Sequence, residues 1–307
     1  MIEYTGNNRK GECQMASVKE CAYAKVNLYL DVLAKRDDGF HDVKTVMHTV
    51  SLYDEVTVTV KPAKTSRVTL NVVGHPKLPT DSRNLAVKAA ELFLSSTLIS
   101  ADVSIRLVKN IPVAAGLAGG STDAAAVLRA LNKAFKKPLT EKRLLALAAE
   151  LGSDVPYCLL GGTALCYGRG ELIERLPEKL KLNVVVAVAD EHVSTPTAYS
   201  ELDKIYADFK EPRNDDSALA FDAVMSAVST GKLTDAKLFN VFEKAILPIC
   251  SGAESIKSKM LELGATHALM SGSGPSVYGI FPDEETSRVA EKTLKEQGIR
   301  AYSALSV

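Results

Sequence analysis

Residues 111–126 read Ile-Pro-Val-Ala-Ala-Gly-Leu-Ala-Gly-Gly-Ser-Thr-Asp-Ala-Ala-Ala, a run made largely of small side chains. Before it, Val103, Ile105 and Leu107 alternate with polar residues at the period of a strand. After it, a helical pattern runs from about Ser121 to Phe135 and stops at Lys136-Lys-Pro138. Gly116, Gly119 and Gly120 permit positive φ and let backbone come close to a ligand. A helix starting at Ser121 or Thr122 turns free N–H groups, and about half a unit of positive charge, toward whatever lies at its mouth. The two hydroxyls suit a phosphate oxygen or a magnesium-bound water, and Ser121 is the candidate for the metal side. No lysine precedes Ser121, so the turn is not GxxxxGK[ST], and GxGxxG is absent as well. The competing reading is a glycine-rich turn that serves only close helix packing.

Anion binding has to be local in this chain, because 37 Lys+Arg balance 37 Asp+Glu. That balance, without a basic-aromatic cluster, argues against nucleic-acid recognition. The 307 residues, 46% of them hydrophobic, suit two domains or one large one. Five cysteines form an odd set without a CxxC, as reduced thiols in a cytoplasm would. Residues 1–15 are polar and lack the apolar core of a signal peptide. They are expected to be a disordered extension, or the product of a start placed upstream of Met15. No apolar run is long enough for a membrane span.

Outward from the glycine turn, strands and helices mix without regular βαβ alternation, which favours α+β over a doubly wound parallel sheet. From Tyr23 to Val32, Val26, Leu28, Leu30 and Val32 share one face, and Lys25, Asn27, Tyr29 and Asp31 the other. This predicts a strand with one buried face and puts Lys25 and Asn27 side by side. Val56/Val58/Val60 and Val68/Leu70/Val72 predict a hairpin-like pair. A helix is predicted over 81–95, and another from an N-cap at Thr140 to Gly152. Further on, 183–189 reads as a strand covered on both faces and 203–222 as a surface excursion. Helices are expected over 236–246 and 255–263, and strands near 268–270 and 277–281. The loop Met270-Ser-Gly-Ser-Gly-Pro275 reads alone as a tight turn, and beside the first glycine loop as a second wall for phosphates.

Phosphoryl transfer needs positioning, a cation, and a carboxylate to take the proton of the attacking hydroxyl. Lys25 offers the cation; from the strand alone, a solvated edge lysine is the preferred reading. Asp154, in Leu151-Gly-Ser-Asp-Val-Pro156, offers the carboxylate; alone, it is a turn former. His41 and Asn27 are polar candidates with structural alternatives. Histidines are scattered without paired-ligand spacing, so a protein-cage zinc is not expected.

Together, Ala24-Lys-Val-Asn-Leu28, the Pro112–Ala126 loop and Ser271-Gly-Ser-Gly274 resemble, in order, the three motifs of GHMP kinases. Within that superfamily, Ala24–Leu28 with Arg36-Asp-Asp-Gly-Phe-His41 resembles the AK[IL]NL…R.DGYH signature of the 4-diphosphocytidyl-2-C-methyl-D-erythritol kinase family. Leu151–Pro156 and Val193-Ser-Thr195 resemble that family's LG.DVPF and VST segments. The resemblance implies a ribosomal-S5-like N-terminal domain over 16–168 that carries ATP, and a ferredoxin-like C-terminal domain over 169–307. It implies transfer of the γ-phosphate of ATP, with Mg²⁺, to the 2-hydroxyl of the erythritol part of a cytidine diphosphate substrate, in non-mevalonate isoprenoid synthesis.

By the same resemblance Asp154 is the base and Lys25 the charge-stabilising cation. ATP falls to Pro112, Val113, Ala114, Ala115, Gly116, Leu117, Ala118, Gly119, Gly120, Ser121 and Thr122. Asn27, Phe40, His41, Thr195 and Tyr199 match substrate positions, the two aromatics Phe40 and Tyr199 flanking the cytosine. Phe40 stands for the usual tyrosine, Ala118 for a glycine, Thr122 for a serine, and Tyr23 where proline is frequent. A homoserine or mevalonate type of kinase, and a nucleotide-binding regulator without catalysis, remain alternatives. The expected protein is cytoplasmic, a monomer or homodimer, with no nucleic-acid or membrane partner.

Overall fold

The computed structural model describes residues 2–5, 15–206, 216–233 and 236–307. In chain order come β1 (Ile2–Thr5), β2 (Met15–Lys35), β3 (His41–Pro62), β4 (Arg67–Val73), α1 (Leu85–Thr97), β5 (Ala101–Val108), α2 (Gly119–Ala134), α3 (Glu141–Leu151) and α4 (Val155–Leu160). Then follow β6 (Thr163–Gly168), β7 (Leu172–Arg175), β8 (Asn183–Val188), α5 (Thr195–Tyr206), α6 (Ser217–Thr230), β9 (Phe239–Asn240) and α7 (Glu243–Ile246). The chain ends with α8 (Ser251–Glu262), β10 (His267–Met270), β11 (Ser276–Phe281), α9 (Glu284–Glu296) and β12 (Arg300–Leu305).

Two compact units interleave along the chain. The first takes the described residues up to Tyr23, Tyr53–Ile111 and Ala118–Leu160; the second takes Ala24–Leu52, Pro112–Leu117 and Gly161–Val307. This division differs from the expected single cut after residue 168. Its cause is strand length: β2 and β3 run for 21 and 22 residues, and each gives one part to each unit.

In the first unit the strands lie in the order β1-β2-β3-β5-β4. Residues 2–5, inside the expected disordered extension, pair antiparallel with Met15–Val18, while residues 1 and 6–14 lie outside the described residues. The expected hairpin of β3 with β4 does not form. Instead β5 lies between them, antiparallel to β3 and parallel to β4. Alternation had identified the strands but could not name their neighbours, because the buried face of Val56, Val58 and Val60 is satisfied by either pairing.

Four helices pack on one another in this unit. Asn84 caps α1 by accepting from the N–H of Ala86, and Thr140 caps α3 as expected by accepting from Arg143 N–H. In α2 residues 122–128 are all buried. A helix covered on every side admits close neighbours only if its side chains are small, which accounts for Ala124-Ala-Ala126.

In the second unit β8, β10, β11 and β12 form an antiparallel sheet of order β10-β11-β8-β12. With α8 and α9 packed on it, this is the split βαββαβ arrangement of ferredoxin-like domains. Val184–Ala187 are fully buried, as expected for a strand covered on both faces. Around it Leu30, Val43, Val185, Phe242, Ile246, Met260, Val277 and Leu294 share one core.

Several local expectations are revised. Region 203–222 is partly helical, in α5 and α6, with residues 207–215 outside the described set. Instead of one helix over 236–246 there are β9 and a single turn, α7, because Phe239–Asn240 pairs with Tyr29–Leu30. The last helix and strand, α9 and β12, were not foreseen. Among the described residues, no helix is long and apolar enough to cross a membrane.

Candidate active site

The Lys25 face of β2 is not solvated, contrary to the one-faced reading of that strand. Lys25, Asn27, Tyr29 and Asp31 are each at most 4% exposed. A buried ammonium has to be hydrogen-bonded. Lys25 Nζ donates to Asn27 Oδ1 at 2.7 Å and to the Gly116 carbonyl at 3.0 Å. An ammonium carries three protons, so one more can be directed at a ligand.

Gly116 is where the first glycine loop meets the second. Its carbonyl also accepts from Ser271 Oγ at 3.0 Å. Its φ is +71°, and a Cβ there would lie 2.0 Å from the Ser271 carbonyl oxygen, so no other residue fits. Gly272, at φ +58°, would in turn place a Cβ 2.9 Å from the Gly116 carbonyl oxygen. The Ser271–Gly274 turn is therefore a wall set directly against the first loop.

Asn27 holds that wall as well. Its Oδ1 accepts from Gly272 N–H at 3.0 Å in addition to Lys25, and its Nδ2 donates to Thr45 Oγ1 at 2.8 Å. Expected as a substrate contact, Asn27 is instead mostly committed to the protein. Two residues missed in the sequence finish the support. Asn240 donates to the carbonyls of Met270 and Gly272 at 2.7 and 2.8 Å, and Tyr278 donates to the Asn27 carbonyl at 2.7 Å. Asn240 sits in the segment read as a helix over 236–246, and that reading gives it no special role.

The other expected substrate residues also lie in this unit. His41 is buried; its Nε2 pairs with Asp203 Oδ1 at 2.7 Å, and its ring stacks on Tyr199 with centroids 4.6 Å apart. Burial pushes the Asp203 carboxyl up, but hydrogen bonds from Lys35 and His41 outweigh it and hold the group below its ordinary value. Phe40 is 52% exposed, with the Arg169 guanidinium 4.9 Å from its ring centroid. Thr195 opens α5, and its hydroxyl lies 3.1 Å from Ser273 Oγ in the second glycine loop.

In the first unit α2 begins at Gly119, two residues earlier than expected. Its cap, Ala118, is left-handed (φ +58°) and contributes no side-chain bond. Short side chains and an uncapped first turn leave helix N–H groups for an anion. Ser121 is half-buried in that turn. Thr122 is buried, and its hydroxyl donates to the Tyr23 carbonyl at 2.8 Å, so it serves the fold before it serves any phosphate. Asp154 is half-buried where α4 begins, and its carbonyl accepts the first helical bond, from Cys158 N–H at 3.0 Å. The six-residue α4 had not been read from the sequence.

A buried charge cluster near the start of α2 was also missed. Lys109 Nζ donates to Asp54 and, at 2.8 Å, to Asp123 Oδ2. Burial raises the Asp123 carboxyl above its ordinary value, and nearby Asp54 adds to the rise. Burial works against the Lys109 ammonium, but the two carboxylates more than compensate and keep it charged. Asp54 lies within β3, Lys109 just past β5 and Asp123 in the first turns of α2, positions that no local period connects.

Comparison with known proteins bears on these motifs directly. Residues 84–162 match the GHMP kinases N terminal domain, and residues 222–300 match the GHMP kinases C terminal. The 4-diphosphocytidyl-2-C-methyl-D-erythritol kinase of Lachnospira eligens is 38% identical over 290 residues, covering 92% of this chain and 96% of the relative. The protein of the same name from Macrococcus caseolyticus is 41% identical over 280 residues, covering 91% and 95%. The chain belongs to the 4-diphosphocytidyl-2-C-methyl-D-erythritol kinase family of GHMP kinases. A crystal structure of a 4-(cytidine 5'-diphospho)-2C-methyl-D-erythritol kinase superposes with a TM-score of 0.77 at 32% identity, covering 94% of this chain and all of that one. Homoserine kinase from Cytophaga hutchinsonii superposes at 0.74 with 19% identity, covering 99% and 97%, and shows the shared fold. Both the GHMP kinase fold and the family expected from the three motifs are thus found.

Proposed function

We propose that this protein transfers the γ-phosphoryl group of ATP to the 2-hydroxyl of 4-diphosphocytidyl-2-C-methyl-D-erythritol. The observation that carries the reading is the buried Lys25 ammonium, held by Asn27 Oδ1 and the Gly116 carbonyl at the glycine loop. Burying an ammonium against neutral acceptors costs stability, so a charge placed there is better explained by a function than by support of the fold.

In the proposed reaction Asp154 takes the proton of the 2-hydroxyl as its oxygen attacks the γ-phosphorus. The bond between that phosphorus and the bridging oxygen breaks, and the electron pair leaves with ADP. Lys25 balances the charge gathered on the transferring group, and the turn from Pro112 to Thr122 holds the phosphates. Phe40 offers an exposed ring to the cytosine, with Tyr199, braced by His41, as the second aromatic face. Thr195 and His41 supply polar contacts to the same substrate.

Among the described residues no three His, Cys, Asp or Glu side chains gather into a metal cage. That donor set fits a magnesium ion carried mainly by nucleotide phosphates and water, with the Ser121 hydroxyl on the protein side. When bound, the ion neutralises phosphate charge. The described cysteines, Cys21, Cys158, Cys166 and Cys250, are free thiols, which suits the cytoplasm.

A panel of alcohols with coupled detection of ADP tests the reading. ATP turnover is expected with the cytidine diphosphate substrate and not with homoserine or mevalonate. Turnover with one of those in its place, or with none of the three, would overturn it.

A further inference from the structure

We propose that Asp123 is a positioning residue for the nucleotide: through Lys109 and Asp54 it fixes the spacing between the two ends of the phosphate turn. The proposal rests on the reading that Pro112–Thr122 holds ATP.

The turn leaves the end of β5 at residues 109–111 and enters α2 at Gly119. One ammonium ties both ends. On the strand side, Asp54 accepts from Lys109 Nζ, from Asn110 N–H, and from Ile111 N–H at 2.8 Å. On the helix side, Lys109 Nζ donates to Asp123 at 2.8 Å. The same Nζ passes so near Gly119 that a Cβ there would lie 3.3 Å from it, and 3.2 Å from Ile111 Cγ2. Asp54, Lys109 and Asp123 are 0%, 8% and 3% exposed, so water does not loosen these bonds.

Stability alone is a poor account of the cluster. Two carboxylates around one buried ammonium cost more than apolar side chains of the same volume, and the second oxygen of Asp123 has no hydrogen-bond partner. What the cluster supplies is directional: it fixes the helix start whose uncapped N–H groups face the ligand. A ligand held by backbone groups loses affinity when their spacing relaxes, because the ordering then has to be done on binding.

Asp123→Ala removes the helix-side anchor and leaves the neutral Lys109–Asp54 pair intact. KM for ATP should rise about tenfold, the loss of one charge-assisted hydrogen bond. The KM for the alcohol substrate, and kcat at saturating ATP, should stay within about threefold. Asp123→Asn keeps an oxygen that can accept from Lys109 and should restore most of the ATP KM. An unchanged ATP KM in Asp123→Ala overturns the proposal, and so does an Asn variant as impaired as Ala, which would mean that the hydrogen bond from Lys109 is not what positions the turn. Should Asp123→Ala not fold, Asp123→Ser, which also cannot reach Lys109, is read in the same way. Amide exchange of the unaltered protein with and without ADP separates the two levels. No ADP protection within 112–122 removes the nucleotide reading itself. Protection there, with unchanged KM in the variants, removes only the positioning role.

Discussion

Replacing Gly116 by alanine tests the contact on which the site is built, and Gly298→Ala is its control. Both glycines have positive φ, +71° and +81°, so each alanine pays about 1–2 kcal/mol for a left-handed backbone. Each also stiffens the unfolded chain to the same small extent. These effects cancel between the two variants. The difference lies in space: a Cβ on Gly298 meets nothing within 4 Å, whereas one on Gly116 would overlap the Ser271 carbonyl at 2.0 Å. To bring that contact to 3.0 Å, the second glycine loop has to retreat by at least 1 Å. The retreat strains the bonds from Ser271 Oγ to the Gly116 carbonyl and from Gly272 N–H to Asn27, each 3.0 Å long. At about 0.5–1.5 kcal/mol net for each bond, Gly116→Ala should cost roughly 1–3 kcal/mol more than Gly298→Ala. At about 2–4 °C per kcal/mol, the extra loss in Tm is roughly 2–12 °C, readable by differential scanning calorimetry. Turnover should fall in Gly116→Ala alone, because the Lys25 acceptor moves. Equal midpoints in the two variants would refute the interlocked loops.

Asp154→Asn should lower kcat by about 10²–10⁴-fold in the coupled assay while the far-UV spectrum is kept, the range of a lost general base. Near-normal turnover in a folded variant removes Asp154 from that role. Lys25→Met should abolish turnover and leave ADP affinity, measured by calorimetry, largely intact; a collapse of affinity instead would make Lys25 a nucleotide ligand. His48 is buried, with hydrogen bonds to Thr163 and Ser306, and burial, with nearby Lys181 adding to it, lowers its pKa from 6.5 to about 4. The unfolded chain therefore binds a proton near pH 6.5 that the native state refuses until about pH 4. Stability from neutral His48 is complete above pH 6.5 and is lost as pH falls toward 4. The Tm advantage over His48→Gln should shrink across that window, and a constant gap would count against a neutral buried imidazole.

Much of this site was legible because its residues carry local signatures. Small residues between a strand and a helix are compatible with a phosphate turn as well as with close helix packing, and alternation puts Lys25 beside Asn27. What stayed hidden depends on pairing across long separations. Alternation says that Val56 faces a core, not that β5 rather than β4 covers the next edge. Asn240 lies in a stretch whose period suggests a helix, and its role exists only because Met270 and Gly272 turn their carbonyls toward it. Nothing in the sequence links Asp54, Lys109 and Asp123. Their burial follows from the strand ending where α2 begins, a tertiary fact with no sequence period.

The geometry also changes what the motifs are for. By the resemblance, Lys25, Asn27 and the Ser271–Gly274 turn are each expected to meet a ligand. In the folded chain they bind each other first, with the Gly116 carbonyl accepting hydrogen bonds from Lys25 and Ser271 and Asn27 Oδ1 accepting them from Lys25 and Gly272. Each acceptor serves two donors from different segments, so moving any one segment unbalances the others. An ammonium in such a lattice keeps its direction without a substrate present. That is preorganisation: the cost of orienting the charge is met during folding and does not recur when ATP binds.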